Sequence, residues 1–128
     1  MALTEPGPAW LFCPADRPER FEKAAAAADV VILDLEDGVA AKDRDAARQA
    51  LMASRLDPGR TVVRVNPTAT VDHPRDLEAL ARTPYTTVML AKTESADQVG
   101  ALAPLDVVVL VETPLGALAV TETARVDN

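Results

Sequence analysis

The chain has 128 residues, 48% of them hydrophobic, and its 13 Lys and Arg against 20 Asp and Glu give a net charge of −7. This length provides one ordinary domain and excludes two, while the hydrophobic content excludes a disordered acidic tail. The acidic balance argues against nonspecific nucleic-acid binding, which requires a basic face. We therefore expect residues 1–128 to form a single domain.

Three sequence features predict a cytoplasmic protein that does not enter the membrane. The first residues lack the basic and apolar regions of a signal peptide. No apolar run approaches the ~20 residues that a membrane helix requires. The one cysteine, Cys13, lies in an apolar run and is expected to be a buried free thiol.

Five apolar runs predict β-strands, and segments with helical spacing connect them. The strands are expected at Trp10–Cys13, Val30–Leu35, Thr61–Val65, Thr87–Leu90 and Val107–Val111. Helices are expected from Pro18 to about Ala28, from Lys42 to Ser54, from near Pro74, and from Ser95. Asp16 is the expected N-cap of the first helix. The second helix is expected to direct four residues towards the core, namely Ala46, Ala47, Ala50 and Leu51. Strands that alternate with helices imply a parallel sheet, whose strands end at one common ligand-binding edge.

Acidic residues follow the second predicted strand at this edge. Glu36 and Asp37 precede Gly38, and two carboxylates here can hold Mg²⁺ or tune proton transfer. The alternative is a solvated turn in which Glu36 caps the next helix. Asp34 lies deeper in the strand, and we expect it to make a structural hydrogen bond or ion pair.

Arg64 lies inside the third predicted strand. An arginine in a parallel sheet is costly unless it meets an anion, and its planar fork suits a carboxylate or phosphate. The alternative is a structural ion pair with Glu36 or Asp34 on the neighbouring strand.

Two more charged residues follow the fourth and fifth predicted strands. Lys92 either holds a phosphate or pairs with a neighbouring acid. Glu112 follows an apolar stretch that is expected to be buried on both faces. It either binds a metal or ligand or caps the next helix.

Other charged residues give weaker signals. His73, the one histidine, is expected in a solvated loop, and its uniqueness excludes a multi-histidine zinc site. Arg17, Arg20 and Lys23 form a basic cluster that either contacts nucleotide phosphates or is a solvated face.

The predicted elements allow two α/β architectures. One is an open doubly wound parallel sheet, which the length favours. The other is part of a (β/α)₈ TIM barrel, which typically needs about 250 residues.

Five segments follow the order and spacing of one protein family. They are Leu11–Phe21, Val31–Val39, Val63–Asn66, Val88–Ser95 and Leu110–Thr113. The chain resembles the HpcH/HpaI aldolase and citrate lyase beta-subunit (CitE-like) family, in particular its free-standing actinobacterial type. The resemblance implies the amino-terminal five-strand portion of a (β/α)₈ barrel.

The resemblance also implies a reaction. The family cleaves or forms a carbon–carbon bond beside a coenzyme A thioester of the citryl-, malyl- or citramalyl-CoA type, giving acetyl-CoA and a 2-oxo acid. It implies that Glu112 binds Mg²⁺, that Arg64 holds the oxo-acid carboxylate, and that Glu36 and Asp37 order metal-bound water. Lys92 would lie at the same carboxyl edge of the strands. The resemblance also implies a homo-oligomer, since relatives form trimers or hexamers.

The chain departs from the family pattern in ways that affect this expectation. The family's second metal-binding aspartate lies in a sixth unit that these 128 residues do not contain, and Pro114 stands where relatives have alanine before an arginine. We therefore expect weak or no lyase activity from the 128 residues alone.

Two alternative functions remain at this point. A receiver-type signalling domain has five parallel strands and an acidic Mg²⁺ site, but it needs an acidic pair after the first strand, where Cys13-Pro14-Ala15 stands. A non-catalytic half-barrel would instead associate through the open edges of its first and fifth strands.

Overall fold

Five parallel strands form one sheet in the computed structural model, which describes residues 2–128. The strands are β1 (Trp10–Pro14), β2 (Val30–Asp34), β3 (Thr61–Val65), β4 (Thr87–Leu90) and β5 (Asp106–Val109). The helices are α1 (Phe21–Ala27), α2 (Arg44–Ala53), α3 (Asp72–Leu80), α4 (Ala96–Gly100) and α5 (Pro114–Thr123). Each apolar run predicted to be a strand therefore overlaps one.

The strands lie side by side in their chain order, β1-β2-β3-β4-β5, and each neighbouring pair is parallel. In a doubly wound sheet the order reverses at a switch point, as in the 2-1-3-4-5 order of receiver-like domains. The open doubly wound alternative is therefore wrong, and so is the receiver topology. Sequential order is the arrangement of a (β/α)₈ barrel.

The sheet has two different faces. The helix-covered face carries the larger apolar core, in which Leu33, Val63 and Leu90 are completely buried. The opposite face carries a smaller cluster of Val30, Ile32, Val62 and Met89. Because side chains alternate along a strand, Asp34 and Arg64 continue this second face at the carboxyl ends of β2 and β3. The charged residues at the carboxyl edge thus lie next to this smaller apolar cluster.

The expectation that the fifth strand is buried on both faces is wrong. Asp106 is exposed, and Val107, Val108 and Val109 are only half-buried. Within residues 2–128, β5 pairs with β4 alone. The strand also ends at Val109, two residues before its predicted end.

Several helix predictions hold and others need correction. Ser95 caps α4, since its hydroxyl accepts a hydrogen bond from the Gln98 N–H. The N-cap role predicted for Asp16 is wrong, because α1 follows a 3₁₀ turn (Pro18–Arg20) that no side chain caps. Ala46 faces solvent rather than the core.

Helix α5 was not predicted. Thr113 caps it by accepting a hydrogen bond of 3.0 Å from the Gly116 N–H. Leu115 and Leu118 are 63% and 84% exposed on this helix. None of the helices in residues 2–128 combines the length and apolarity needed to span a bilayer.

Candidate active site

The charged residues predicted at the carboxyl edge come together there. Glu36 is the centre: its Oε2 lies 3.4 Å from Arg64 Nη1, and its Oε1 accepts a hydrogen bond from Lys92 Nζ. The Lys92 backbone N–H in turn donates to Glu112 Oε1 at 2.9 Å. Residues that are 76 positions apart in sequence thus form one continuous polar cluster. We call Glu36, Asp37, Arg64, Lys92 and Glu112 the rim cluster.

Asp34 fixes the guanidinium of Arg64. Arg64 Nε and Nη2 donate to the two Asp34 carboxylate oxygens, both at 2.7 Å. Asp34 is 2% exposed, and it also accepts from the N–H groups of Glu36 and Gly38 at 2.9 and 2.7 Å. The structural ion pair considered from the sequence is confirmed. It occupies two guanidinium nitrogens and leaves Nη1 directed at the rim cluster.

The aromatic ring of Phe12 packs against the same guanidinium. The Arg64 Cζ lies 4.6 Å from the ring centroid, within the range of a cation–π contact. Phe12 lies on β1, and sequence reasoning assigned it no role. Hydrogen bonding to Asp34 raises the pKa of Arg64, in spite of burial, so this side chain stays charged.

Glu36 lies between two cations rather than in a solvated turn. It is 3% exposed, and one of its oxygens also accepts from the Asp37 N–H at 3.0 Å. The alternative of a helix-capping Glu36 is therefore wrong. Asp37 is exposed, and its Oδ2 lies 3.7 Å from Lys92 Nζ. The buried Glu36 carboxylate is thus paired with two cations, as burial requires, while Asp37 beside it is open to solvent.

Lys92 adopts an unusual backbone conformation. Its φ angle is 50°, in the left-handed region that residues other than glycine rarely occupy. This conformation lets the backbone N–H reach Glu112 while the side chain reaches Glu36. The hydrogen bond to Glu36 raises the pKa of Lys92. The predicted pairing of Lys92 with an acid is confirmed.

Glu112 is exposed, and one of its oxygens meets the Lys92 N–H. It does not cap α5, since Thr113 does. An exposed carboxylate is the kind of oxygen ligand that Mg²⁺ accepts together with water and substrate oxygens. Within residues 2–128, no three His, Cys, Asp or Glu side chains form a group that could hold a metal ion. Glu112 thus fits part of a magnesium site and not a complete one.

The prediction of a solvated His73 is wrong. His73 is 8% exposed, and its Nδ1 lies 2.7 Å from the Asn66 carbonyl oxygen. It belongs to a buried polar network behind β3 that also contains Asn66, Asp76 and Arg48. No local pattern predicts this network, since its members lie on α2, on α3 and just after β3.

The basic residues near α1 take no part in the ion pairs of the rim cluster within residues 2–128. Arg17, Arg20 and Lys23 are exposed. Arg20 and Lys23 line a groove of about 450 Å³ between α1 and the free edge of β1. Cys13 also lines it, although only 3% of the residue is exposed. The buried free thiol expected from the sequence is confirmed.

Sequence comparisons place this geometry among known proteins. The family model described as HpcH/HpaI aldolase/citrate lyase matches residues 9–105. A citrate lyase subunit beta-like protein from Mycobacterium tuberculosis is 66% identical over 127 residues, covering 99% of this chain and 46% of that protein. A (3S)-malyl-CoA thioesterase from Cereibacter sphaeroides is 37% identical, covering 89% of this chain and 43% of that protein. The chain spans about half the length of these relatives.

Solved structures with the same arrangement of strands and helices belong to similar proteins. Protein CitE from M. tuberculosis, in complex with magnesium, acetoacetate and coenzyme A, has a TM-score of 0.95 and 67% identity. This match covers 96% of this chain and 46% of that one. RipC from Yersinia pestis has a TM-score of 0.73 and 31% identity, covering 90% of this chain and 51% of that one. The five-strand part of a (β/α)₈ barrel expected from the sequence is confirmed.

Proposed function

Because this chain belongs to the HpcH/HpaI aldolase/citrate lyase family, we propose that it serves a Mg²⁺-dependent carbon–carbon lyase. The substrate would be a CoA thioester of the citryl-, malyl- or citramalyl-CoA type, and the products acetyl-CoA and a 2-oxo acid. The observation that carries this proposal is the rim cluster, in which Arg64 and Glu112 meet through Glu36 and Lys92. We further propose a cytoplasmic location.

The ligands of similar proteins support this substrate class. The M. tuberculosis CitE structures hold magnesium with pyruvate, and magnesium with acetoacetate and coenzyme A. A citrate lyase beta subunit from the same organism holds oxaloacetate and magnesium. Each small ligand carries a carboxylate and a carbonyl, the groups that an arginine and a divalent cation recognise together.

Arg64 would bind the carboxylate of the oxo acid. Two of its nitrogens are held by Asp34 at 2.7 Å, so the guanidinium cannot rotate freely. Its Nη1 is directed at the rim cluster. A guanidinium that is already fixed loses little conformational entropy when it binds the substrate carboxylate. The bound carboxylate in turn keeps the reacting bond in one orientation.

Glu112 would hold Mg²⁺ with help from water and substrate oxygens, and the ion would polarise the hydroxyl or carbonyl beside the reacting bond. The Lys92 N–H keeps one Glu112 oxygen in place. Glu36 and Asp37 would order water at the same edge. Lys92 would contribute positive charge beside the substrate carboxylate.

The basic residues Arg17, Arg20 and Lys23 would contact the phosphates of coenzyme A. Their exposure leaves their charges available, and the groove beside Arg20 and Lys23 offers apolar walls from Leu11 and Phe12. Such a surface suits a ligand with both an apolar arm and phosphates.

We also propose that the protein forms a homo-oligomer. Leu115 and Leu118 on α5 and Leu11 and Phe12 on β1 are exposed, and a partner chain that covered these apolar side chains would remove them from water. Light scattering at several protein concentrations would measure the mass in solution. A mass equal to one chain at every concentration would contradict the oligomer.

Pyruvate binding tests the functional proposal. We expect calorimetry to detect pyruvate binding to the chain in the presence of Mg²⁺ and not in its absence. Arg64→Lys should weaken this binding on the order of tenfold, because lysine cannot replace the planar fork. Arg125→Lys is the matched control, since Arg125 is exposed and pairs only locally with Glu122. Equal binding by the parent and Arg64→Lys would contradict the proposed role.

A further inference from the structure

A carboxylate behind β3 is completely buried, although it lies outside the rim cluster. Asp76, on α3, is 0% exposed. Its Oδ1 accepts from Arg48 Nη1 at 2.7 Å. Its Oδ2 accepts from both the backbone N–H and the side-chain Nδ2 of Asn66, at 2.9 and 2.7 Å. Each oxygen of the buried charge is therefore satisfied, as burial requires.

Asn66 connects this carboxylate to the end of β2. Its Nδ2 also donates to the Leu35 carbonyl at 2.8 Å. The Leu35 N–H donates to the Arg64 carbonyl at 3.0 Å. The backbone of Leu35 is thus held through both its N–H and its C=O, and the next residue is Glu36.

A carboxylate suits this place for a reason other than stability. A buried ion pair such as Asp76–Arg48 contributes little net stability compared with apolar residues of the same size. An apolar residue, however, would leave the two Asn66 donors without an acceptor. Asp76 can accept from Asn66 and Arg48 at once, which fixes the Asn66 amide in the orientation that reaches Leu35.

We propose that Asp76 is a positioning residue for the rim cluster. Through Asn66 it fixes the Leu35–Glu36 segment, and this places the Glu36 carboxylate between Arg64 and Lys92. Only the importance of Glu36 for catalysis rests on the proposed function. The restraint on Leu35 and Glu36 is a property of the folded chain without substrate.

Amide hydrogen exchange followed by NMR tests this restraint. In Asp76→Asn we expect the Leu35 and Glu36 amides to exchange on the order of tenfold faster, relative to the Asp106 amide, than in the parent chain. This is the effect of losing about one charge-assisted hydrogen bond. Asp106 is a suitable reference because its N–H donates to the Thr86 carbonyl at the amino-terminal ends of β4 and β5, at the opposite edge of the sheet from the rim cluster.

Asp72→Asn is the matched control. Asp72 pairs with Arg44 and Arg48 at 2.7 and 3.1 Å but has no hydrogen bond to Asn66. We expect this variant to lower global stability and to change exchange at Leu35 and Glu36 no more than at Asp106. An equal local effect in both variants, or no local effect in Asp76→Asn, would overturn the proposal.

Asn66→Ala keeps the proposal testable if Asp76→Asn does not fold. It removes the link to Leu35 and leaves the Asp76–Arg48 pair in place, so the same local increase in exchange is expected. Unchanged exchange at Leu35 in this variant would also overturn the proposal. Pyruvate titration of the parent chain tests the lyase proposal separately, because the exchange measurement needs no ligand.

Discussion

Replacing Arg64 should destabilise the fold by an amount set by Asp34. Arg64→Met would leave Asp34 buried at 2% exposure without its cation. Breaking a buried ion pair on one side typically costs about 3–5 kcal/mol. Asp34 keeps its hydrogen bonds from the Glu36 and Gly38 N–H groups, so we expect the lower end, about 3 kcal/mol. Arg64→Lys keeps a charge without the bidentate fork and should cost about 1–2 kcal/mol.

Urea unfolding measures these losses. Trp10, the one tryptophan, lies on β1 and provides a fluorescence signal for unfolding. Arg125→Met is the control, because both side chains of its ion pair with Glu122 are about two-thirds exposed, at 69% and 68%. Such a pair contributes roughly 0–1 kcal/mol. If Arg64→Met and Arg125→Met lowered the unfolding free energy equally, the structural importance of the Arg64–Asp34 pair would be refuted.

Three further predictions concern other parts of the chain. Burial raises the pKa of Asp72, but hydrogen bonds from its two arginine partners outweigh this and lower the pKa below the ordinary 3.8. The difference in unfolding free energy between the parent and Asp72→Asn should therefore be largest at pH 7 and shrink as the pH falls below about 4. The same difference at pH 3 as at pH 7 would contradict this. Gly116→Ala should lower the melting temperature, because its Cβ would overlap the Thr93 carbonyl oxygen, whereas Gly100→Ala has open space and should be neutral or stabilising by up to ~1 kcal/mol; equal melting temperatures would contradict the overlap. Burial raises the pKa of the Cys13 thiol, so a disulfide reagent at pH 8 should label it much more slowly in buffer than in urea, and rapid labelling in buffer would contradict its burial.

The strands and the rim cluster could be predicted because their signals are local. A short apolar run between turns gives a strand, and a polar residue within three positions after it lies at the common edge of a parallel sheet. Glu36, Lys92 and Glu112 each follow this rule. The position of Arg64 inside a strand likewise indicated an anionic partner, and an ion pair with Asp34 was one of the alternatives.

Properties that depend on neighbours distant in sequence could not be predicted. Burial of the fifth strand was inferred from its apolar residues, but exposure is decided by what packs on each face. The polar residues around His73 predict a solvated loop, since nothing nearby in sequence shows that the Asn66 carbonyl lies 2.7 Å from its Nδ1. Asp76 and Arg48 pair across 28 positions, and the sequence around each resembles an ordinary solvated helix face.

Strand order itself could not be read from the runs. Doubly wound sheets and barrels share the same alternation of strands and helices, and length favoured the wrong one. Only the resemblance to a family indicated the sequential order that the structure shows. The physical reason is that local patterns define elements and not which elements become neighbours.

The sequential strand order also affects how proteins with this fold can diversify. Each of the four units from β2 to β5 contributes its own residue to the rim cluster. The pairing of neighbouring strands is made by the strands themselves and does not depend on the length of the loops. A loop can therefore be lengthened, or its last residue exchanged, while the adjacent units keep their alignment. New substrate preferences can accordingly arise by piecemeal change on an unaltered scaffold.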